Sequence, residues 1–248
     1  MKRLLLILLA MLLLCASACA ELGFSGEVSG TICYPQDADT DTATYVYTYT
    51  YPLAEGDEAL AAAINEQFAY MIYEAENFTV PIQGEMAEGS EQAWSHVTGA
   101  VTCLNGEYAS VLVVRETELG EEDHSVIYAG YTFSLTGAKA GTVTSLPYLL
   151  GILDAEAEAD EWLEERQAAK AEACVRQMVW DRLQEAPPEG LYETADEDWL
   201  SAVFYPEDDF YLDAEGNIVF YISPGMMAPA ESGALLFSFT VEEILDEL

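Results

Sequence analysis

From Thr44 to Tyr51 the chain reads Thr-Tyr-Val-Tyr-Thr-Tyr-Thr-Tyr, which places Tyr45, Tyr47, Tyr49 and Tyr51 on one side and Val46, Thr48 and Thr50 on the other. This period of two is that of extended backbone, whose successive side chains point to opposite faces. Aromatic and β-branched residues also suit a pleated, half-buried surface. The chain must therefore build a sheet with a tyrosine face, expected to be half-buried with its hydroxyls at the water edge. Pro52 is expected to end the strand, since proline cannot donate to a ladder.

The flanking sequence supplies partners. Val28–Tyr34 reads as a preceding strand, and Asp57–Glu76 as a helix whose Leu60, Ile64, Phe68 and Met71 or Ile72 form one apolar stripe that covers the sheet. Ala93–Leu104, Glu107–Glu118 and His124–Leu135 follow as an antiparallel meander. Asn105-Gly106 is its first turn, read as type I′ with positive φ at both central residues, and Gly120–Asp123 is an acidic second turn.

A second set of elements then repeats the mixture. Leu146–Leu150 opens a short helix and Asp154–Glu185 the longest one, with Val175, Val179 and Leu183 on its stripe and Glu172 paired to Arg176. Asp196–Phe204 is a further helical turn. Phe210–Leu212, Ile218–Ile222 and Leu235–Phe239 are strands, and Val241–Leu248 closes the chain as a helix. The expected fold is α+β, with antiparallel sheets and helices packed on one face, in two abutting subdomains over residues 21–145 and 146–248.

Lys2 and Arg3, the apolar run Leu4–Leu14 and the small residues Ala16 to Ala20 make residues 1–20 a secretory signal. Two processing routes fit. Ala18-Cys19-Ala20 suits cleavage before Glu21, and Ala16-Ser17-Ala18-Cys19 resembles a lipobox in which Cys19 would be acylated. Either route places the protein outside the cell or at its envelope. Cys33, Cys103 and Cys174 remain in the mature chain, too few for a disulfide framework. A single Cys33–Cys103 bridge and three buried free thiols are both open.

The full chain carries 45 acidic against 8 basic residues, a net charge of −37, and removal of Lys2 and Arg3 makes it more acidic still. Such a field excludes nucleic acid, whose phosphates need clustered Lys and Arg, and repels anionic membranes except through an anchor at Cys19. It attracts cations, whether Ca²⁺, basic peptides or a basic protein. Arg166, Lys170, Arg176 and Arg182, on the long helix, are expected to neutralise neighbouring acids.

No residue is assigned a catalytic, cofactor-binding or metal-ligating role. His96 and His124 are the only histidines, and no metal or nucleophile signature spans them. Asp37, Asp39 and Asp41 alternate as in a calcium loop, but Thr42 and Thr48 stand where that loop needs Gly and Glu. Asp213, Glu215 and Asn217 suit a hairpin turn.

Beyond these features, the chain resembles the extracellular module of RsiV-type anti-sigma factors and of the non-catalytic region of PdaC-type peptidoglycan deacetylases, whose C-terminal half is a domain of unknown function. The resemblance rests on Tyr51-Pro52, Ile64-Asn65, Asn105 to Ser110, Tyr131 to Gly137, Leu146, Asp209-Phe210-Tyr211-Leu212, Gly216, Phe220-Tyr221, Ala228-Pro229-Ala230 and Gly233. It implies a non-enzymatic exported module, without the sigma-binding or deacetylase parts of those proteins, and in the RsiV-like case a lysozyme ligand. A cell-wall hydrolase or deacetylase-related enzyme with an unrecognised acidic site is the competing reading. A calcium-dependent envelope protein is a third.

Overall fold

The computed structural model describes residues 21–87, 93–120, 123–153 and 161–248. The expected signal segment with Cys19, the Glu121-Glu122 turn and the expected helix start at Asp154 lie outside them. The fold is α+β, with one five-stranded and one three-stranded sheet.

The first sheet runs in sequence order: β1 (Gly23–Tyr34), β2 (Tyr45–Glu55), β3 (Ala93–Leu104), β4 (Tyr108–Glu118) and β5 (His124–Ser134). Three of its four junctions are antiparallel. The fourth is not, because Tyr45–Thr50 of β2 lies parallel to Ala93–Thr98 of β3. A parallel pair needs a long crossover, and α1 (Glu58–Glu74), a π turn (Ala75–Thr79) and α2 (Val80–Met86) supply it. Asp57 caps α1 by accepting from the Ala59 and Leu60 amides. The helical segment continues well past the expected end at Glu76.

Pro52 does not stop β2. The strand runs on to Glu55, and beyond Thr50 it pairs with β1 alone, so the missing proline N–H interrupts no ladder to β3. Ala54, on the edge of that stretch left open by β3, finds its partner in a side chain: its N–H donates to Asn65 Oδ1 and its carbonyl accepts from Asn65 Nδ2, both at 2.9 Å.

The tyrosine face is more deeply buried than its composition implies. Tyr45, Tyr47 and Tyr51 lie beneath the crossover with Ile64, Phe68, Val80, Val111 and Phe133. Phe68 stacks on Tyr51 with ring centroids 5.4 Å apart. The Tyr45 hydroxyl donates to Ser95 Oγ at 2.6 Å, and Ser95 Oγ lies 2.6 Å from Thr117 Oγ1. Buried phenols thus find partners inside the core rather than at the water edge.

The opposite face of the first sheet meets the second one, formed by β6 (Phe210–Leu212), β7 (Ile218–Ile222) and β8 (Leu235–Phe239). All five residues of β7 are buried. Around this sheet pack α3 (Leu146–Leu149), α4 (Glu161–Glu185), α5 (Glu197–Val203) and α6 (Val241–Glu247), which bring Leu146, Val175, Val179, Leu183, Leu200 and Ile244 into one core. A bulge between Val101 and Cys103 turns Cys103 to the second-sheet side, where it joins that core.

Cys33, Cys103 and Cys174 are free thiols. The register explains why Cys33 and Cys103 do not bridge. Cys33 sits beside Val46 and Val46 beside Trp94, and Trp94 precedes Cys103 by nine residues along β3. At the rise of a strand that is about 30 Å, far beyond the reach of a disulfide.

The first hairpin also departs from the type I′ reading. Neither Asn105 nor Gly106 has positive φ. The turn is closed instead by the Asn105 side chain, whose Oδ1 accepts from the Glu107 and Tyr108 amides at 2.8 Å each. Gly216 and Gly233 do adopt positive φ, 85° and 76°. No described helix is long and apolar enough to cross a membrane.

Candidate functional site

Where the two sheets meet, an open cleft of about 420 Å³ lies between β5, the Val143–Ser145 stretch and the segment Glu207–Phe210. Local sequence builds each wall. Alternation along β5 turns Tyr128, Gly130 and Thr132 toward the second sheet, while Phe133 faces the helical crossover. Gly130 has no room for a Cβ against the Phe210 carbonyl, so only glycine permits this approach. Across the seam the Gly130 N–H donates to the Tyr221 hydroxyl at 2.9 Å, and that hydroxyl donates to the Asp208 carbonyl at 3.3 Å. Leu212 N–H donates to Ser110 Oγ at 3.0 Å, and Ser110 Oγ lies 2.9 Å from Thr132 Oγ1.

Three consecutive carboxylates line the cleft: Glu207, Asp208 and Asp209. The turn after Tyr205-Pro206 presents them, with Asp209 Oδ2 accepting from the Tyr205 amide at 2.7 Å. The Glu207 carboxylate takes hydrogen bonds from the Ser145 side chain and the Leu146 amide. Its buried Oε2 has no partner among the described residues. Burial, with Glu172 and Asp208 nearby, pushes the Glu207 carboxyl up to about 7. Burial, opposed by the Tyr205 hydrogen bond and reinforced by Asp208, pushes Asp209 up to about 6.

Aromatic rings surround these acids. Tyr128 and Tyr211 pack against Tyr221 at centroid distances of 5.7 and 6.4 Å. Burial, with Asp209 beside it, raises the Tyr221 phenol well above its ordinary value. Among the described residues no Lys or Arg lines the cleft. Chemically it offers anionic oxygens and electron-rich faces, a setting for an ammonium or guanidinium group.

The residues weighed in the sequence fall elsewhere. Asp37, Asp39 and Asp41 are exposed on the β1–β2 loop. Among the described residues no group of three His, Cys, Asp or Glu side chains is placed to hold a metal. Asp213 staples its own hairpin, Oδ1 accepting from the Glu215 and Asn217 amides at 3.0 and 2.9 Å. His124 Nε2 lies 2.9 Å from Glu116 Oε1, and His96 Nδ1 lies 2.8 Å from Thr48 Oγ1, both exposed. Arg176 pairs with Glu172 at 3.4 Å, whereas Arg166 and Arg182 lie over the rings of Trp162 and Phe239.

The sequence assigns the cleft carboxylates no role, although Asp209 belongs to the resemblance, because acids are too common for one run to stand out. The available signal was Asp209-Phe210-Tyr211-Leu212, which leads into β6.

No protein-family model matches the chain, and no curated protein sequence does. Solved structures do match. A DUF3298 family protein from Bacteroides fragilis NCTC 9343 superposes with a TM-score of 0.53 at 13% identity, covering 92% of this chain and 93% of its own. A DUF3298 family protein from Pseudomonas aeruginosa PAO1 gives 0.51 at 9% identity, with 92% and 93% covered. At these identities the likeness is one of architecture, and the chain has the fold of DUF3298 proteins, a domain of unknown function.

Proposed function

We propose that this chain is an exported, non-enzymatic module of the cell envelope that binds a cationic protein of the lysozyme type. The observation that carries the reading is the cleft, where Glu207, Asp208 and Asp209 stand among tyrosines with no basic side chain among the described residues. Burying these acids beside one another is costly, as the raised Glu207 and Asp209 carboxyls express, burial being the larger cause and neighbouring acids the lesser. An entering Lys or Arg offsets that burial cost and the lesser repulsion and favours the ionised form of both groups, so binding releases protons. The acid excess of the whole chain accelerates encounter at low salt.

The test is binding of hen lysozyme to the purified protein across a salt series, with and without E207Q/D208N/D209N. The reading expects binding that persists near physiological ionic strength and weakens about tenfold or more in the triple variant, as for loss of a central charged cluster. Binding abolished by moderate salt, or indifferent to the variant, would reduce it to nonspecific attraction.

A second reading has an observation of its own. Two cleft carboxyls with raised and unequal proton affinities form a setting for acid–base chemistry on a glycan. Turnover of a peptidoglycan fragment, lost in E207Q, would favour it over simple capture.

A further inference from the structure

On the far side of the first sheet from the cleft, the outer face of the crossover carries Tyr70, Tyr73, Phe78, Ile82 and Met86, each more than half exposed. Tyr70, Glu74, Phe78, Ile82 and Met86 recur every fourth residue, and side chains four apart are neighbours on a helix surface. The stripe continues across the π turn while Ala75, Val80 and Gly84 hold the inner face against the core. Scattered apolar side chains on a surface are ordinary, but a contiguous aromatic and aliphatic ridge is not.

The ridge is also pre-ordered. The Tyr70 and Tyr73 rings stack with centroids 6.5 Å apart, and the Tyr70 hydroxyl donates to Glu74 Oε1 at 3.0 Å. Rigid aromatic pairs contribute contact area with little further loss of side-chain freedom.

Charge selects the occupant. Glu66, Glu74, Glu76 and Glu85 are exposed on the same helical segment, which holds no Lys or Arg of its own. Arg115 meets it beside Thr79 and Gln83, in a cavity shared with the core-facing Tyr45 and Ser95. A second copy would set this acidic border against itself. An anionic lipid surface would be repelled in the same way. We infer that the ridge is a docking surface for a cationic amphipathic polypeptide segment, one that lays an apolar stripe along Tyr73, Phe78, Ile82 and Met86 and sets flanking Lys or Arg against the glutamates. This is the complementary form of helix-on-ridge recognition. It is a surface separate from the cleft and does not depend on the cleft's role.

Two fluorescent peptides of identical Lys/Leu composition test it, one ordered to form an amphipathic helix and one scrambled to destroy the stripe. Fluorescence anisotropy should show the ordered peptide binding about tenfold more tightly. F78S/I82S/M86S should remove that preference, and E207Q/D208N/D209N should leave it intact. These ridge side chains are exposed, so the variant keeps the parent Tm. A milder E74Q/E85Q variant, which leaves the apolar stripe whole, should flatten the salt dependence of binding. Equal affinity for the two peptides would overturn the inference. So would a preference lost only in the cleft variant, ridge-dependent dimers in sedimentation, or ridge-dependent binding to anionic phosphatidylglycerol vesicles.

Discussion

The backbone N–H of Gly130 donates to the hydroxyl of Tyr221 at 2.9 Å, so a central residue of β5 is tied to a fully buried side chain of the second sheet. Tyr221→Phe removes that acceptor together with the donor to the Asp208 carbonyl. A stability loss of about 1–2 kcal/mol is expected in urea unfolding, the usual cost of orphaned partly buried polar groups. Gly130→Ala is the harsher change, because its Cβ has no space against Phe210 and the sheets must part. It should cost about 3 kcal/mol or more.

Glu207 and Asp209 set the sign of a pH effect. Their folded carboxyls are raised to about 7 and about 6, above the ordinary 4.5 and 3.8. Between those limits the folded chain keeps protons that the unfolded chain has released, so stability falls as pH rises through the window. The penalty is complete above pH 7 and absent below the ordinary values. Glu207→Gln should raise Tm at pH 7.5 by about 2–4 °C, the shift expected for about 1 kcal/mol in a chain of this size. At pH 4 the variant and parent should melt together in calorimetry.

Asn65 completes a strand that has lost its neighbour, and both arms of its amide are needed. Asn65→Ala should destabilise by about 2 kcal/mol, leaving the Ala54 N–H and carbonyl without partners. Asn65→Asp keeps an acceptor but loses the donor to the Ala54 carbonyl, and should recover only part of the loss. Chemical denaturation of the three proteins side by side ranks them.

Thr240 begins α6 with a capping box. Glu243 N–H donates to Thr240 Oγ1 at 3.1 Å, and the Thr240 amide donates to Glu243 Oε2 at 2.7 Å. Thr240→Ala should cost about 1 kcal/mol and accelerate hydrogen exchange in the first turn of α6, the helix that Ile244 anchors to the second core.

The elements were legible in the sequence where one periodicity ruled. The alternation of Tyr45 to Tyr51 located β2, and the stripe Ile64–Phe68 located α1, because each is a local consequence of side-chain direction. The helical crossover was cut short because the π turn breaks the spacing after Ala75, and Pro81 and Gly84 lie within α2. The parallel pairing of β2 with β3 was invisible, since partner choice is decided across the intervening helix rather than within either strand. Burial of the tyrosines followed from that same hidden topology. At Asn105-Gly106 the turn was recognised but its geometry was not, as the Asn105 side chain replaced the positive φ the dipeptide suggests. The cleft acids gained their character from burial, from Asp208 beside them and, for Glu207, from Glu172, a neighbour distant in the chain.

The β2–β3 junction gives the first sheet a weak seam. β1–β2 and β3–β4–β5 each close as hairpins between successive strands, whereas Tyr45–Thr50 can zip onto Ala93–Thr98 only after the whole crossover has been laid down. Under tension or mild denaturant the sheet should part first along that line, as an intact hairpin and an intact three-stranded meander swinging away from a common helical strap. Amide exchange read strand by strand would show the break running between Tyr47 and Ser95.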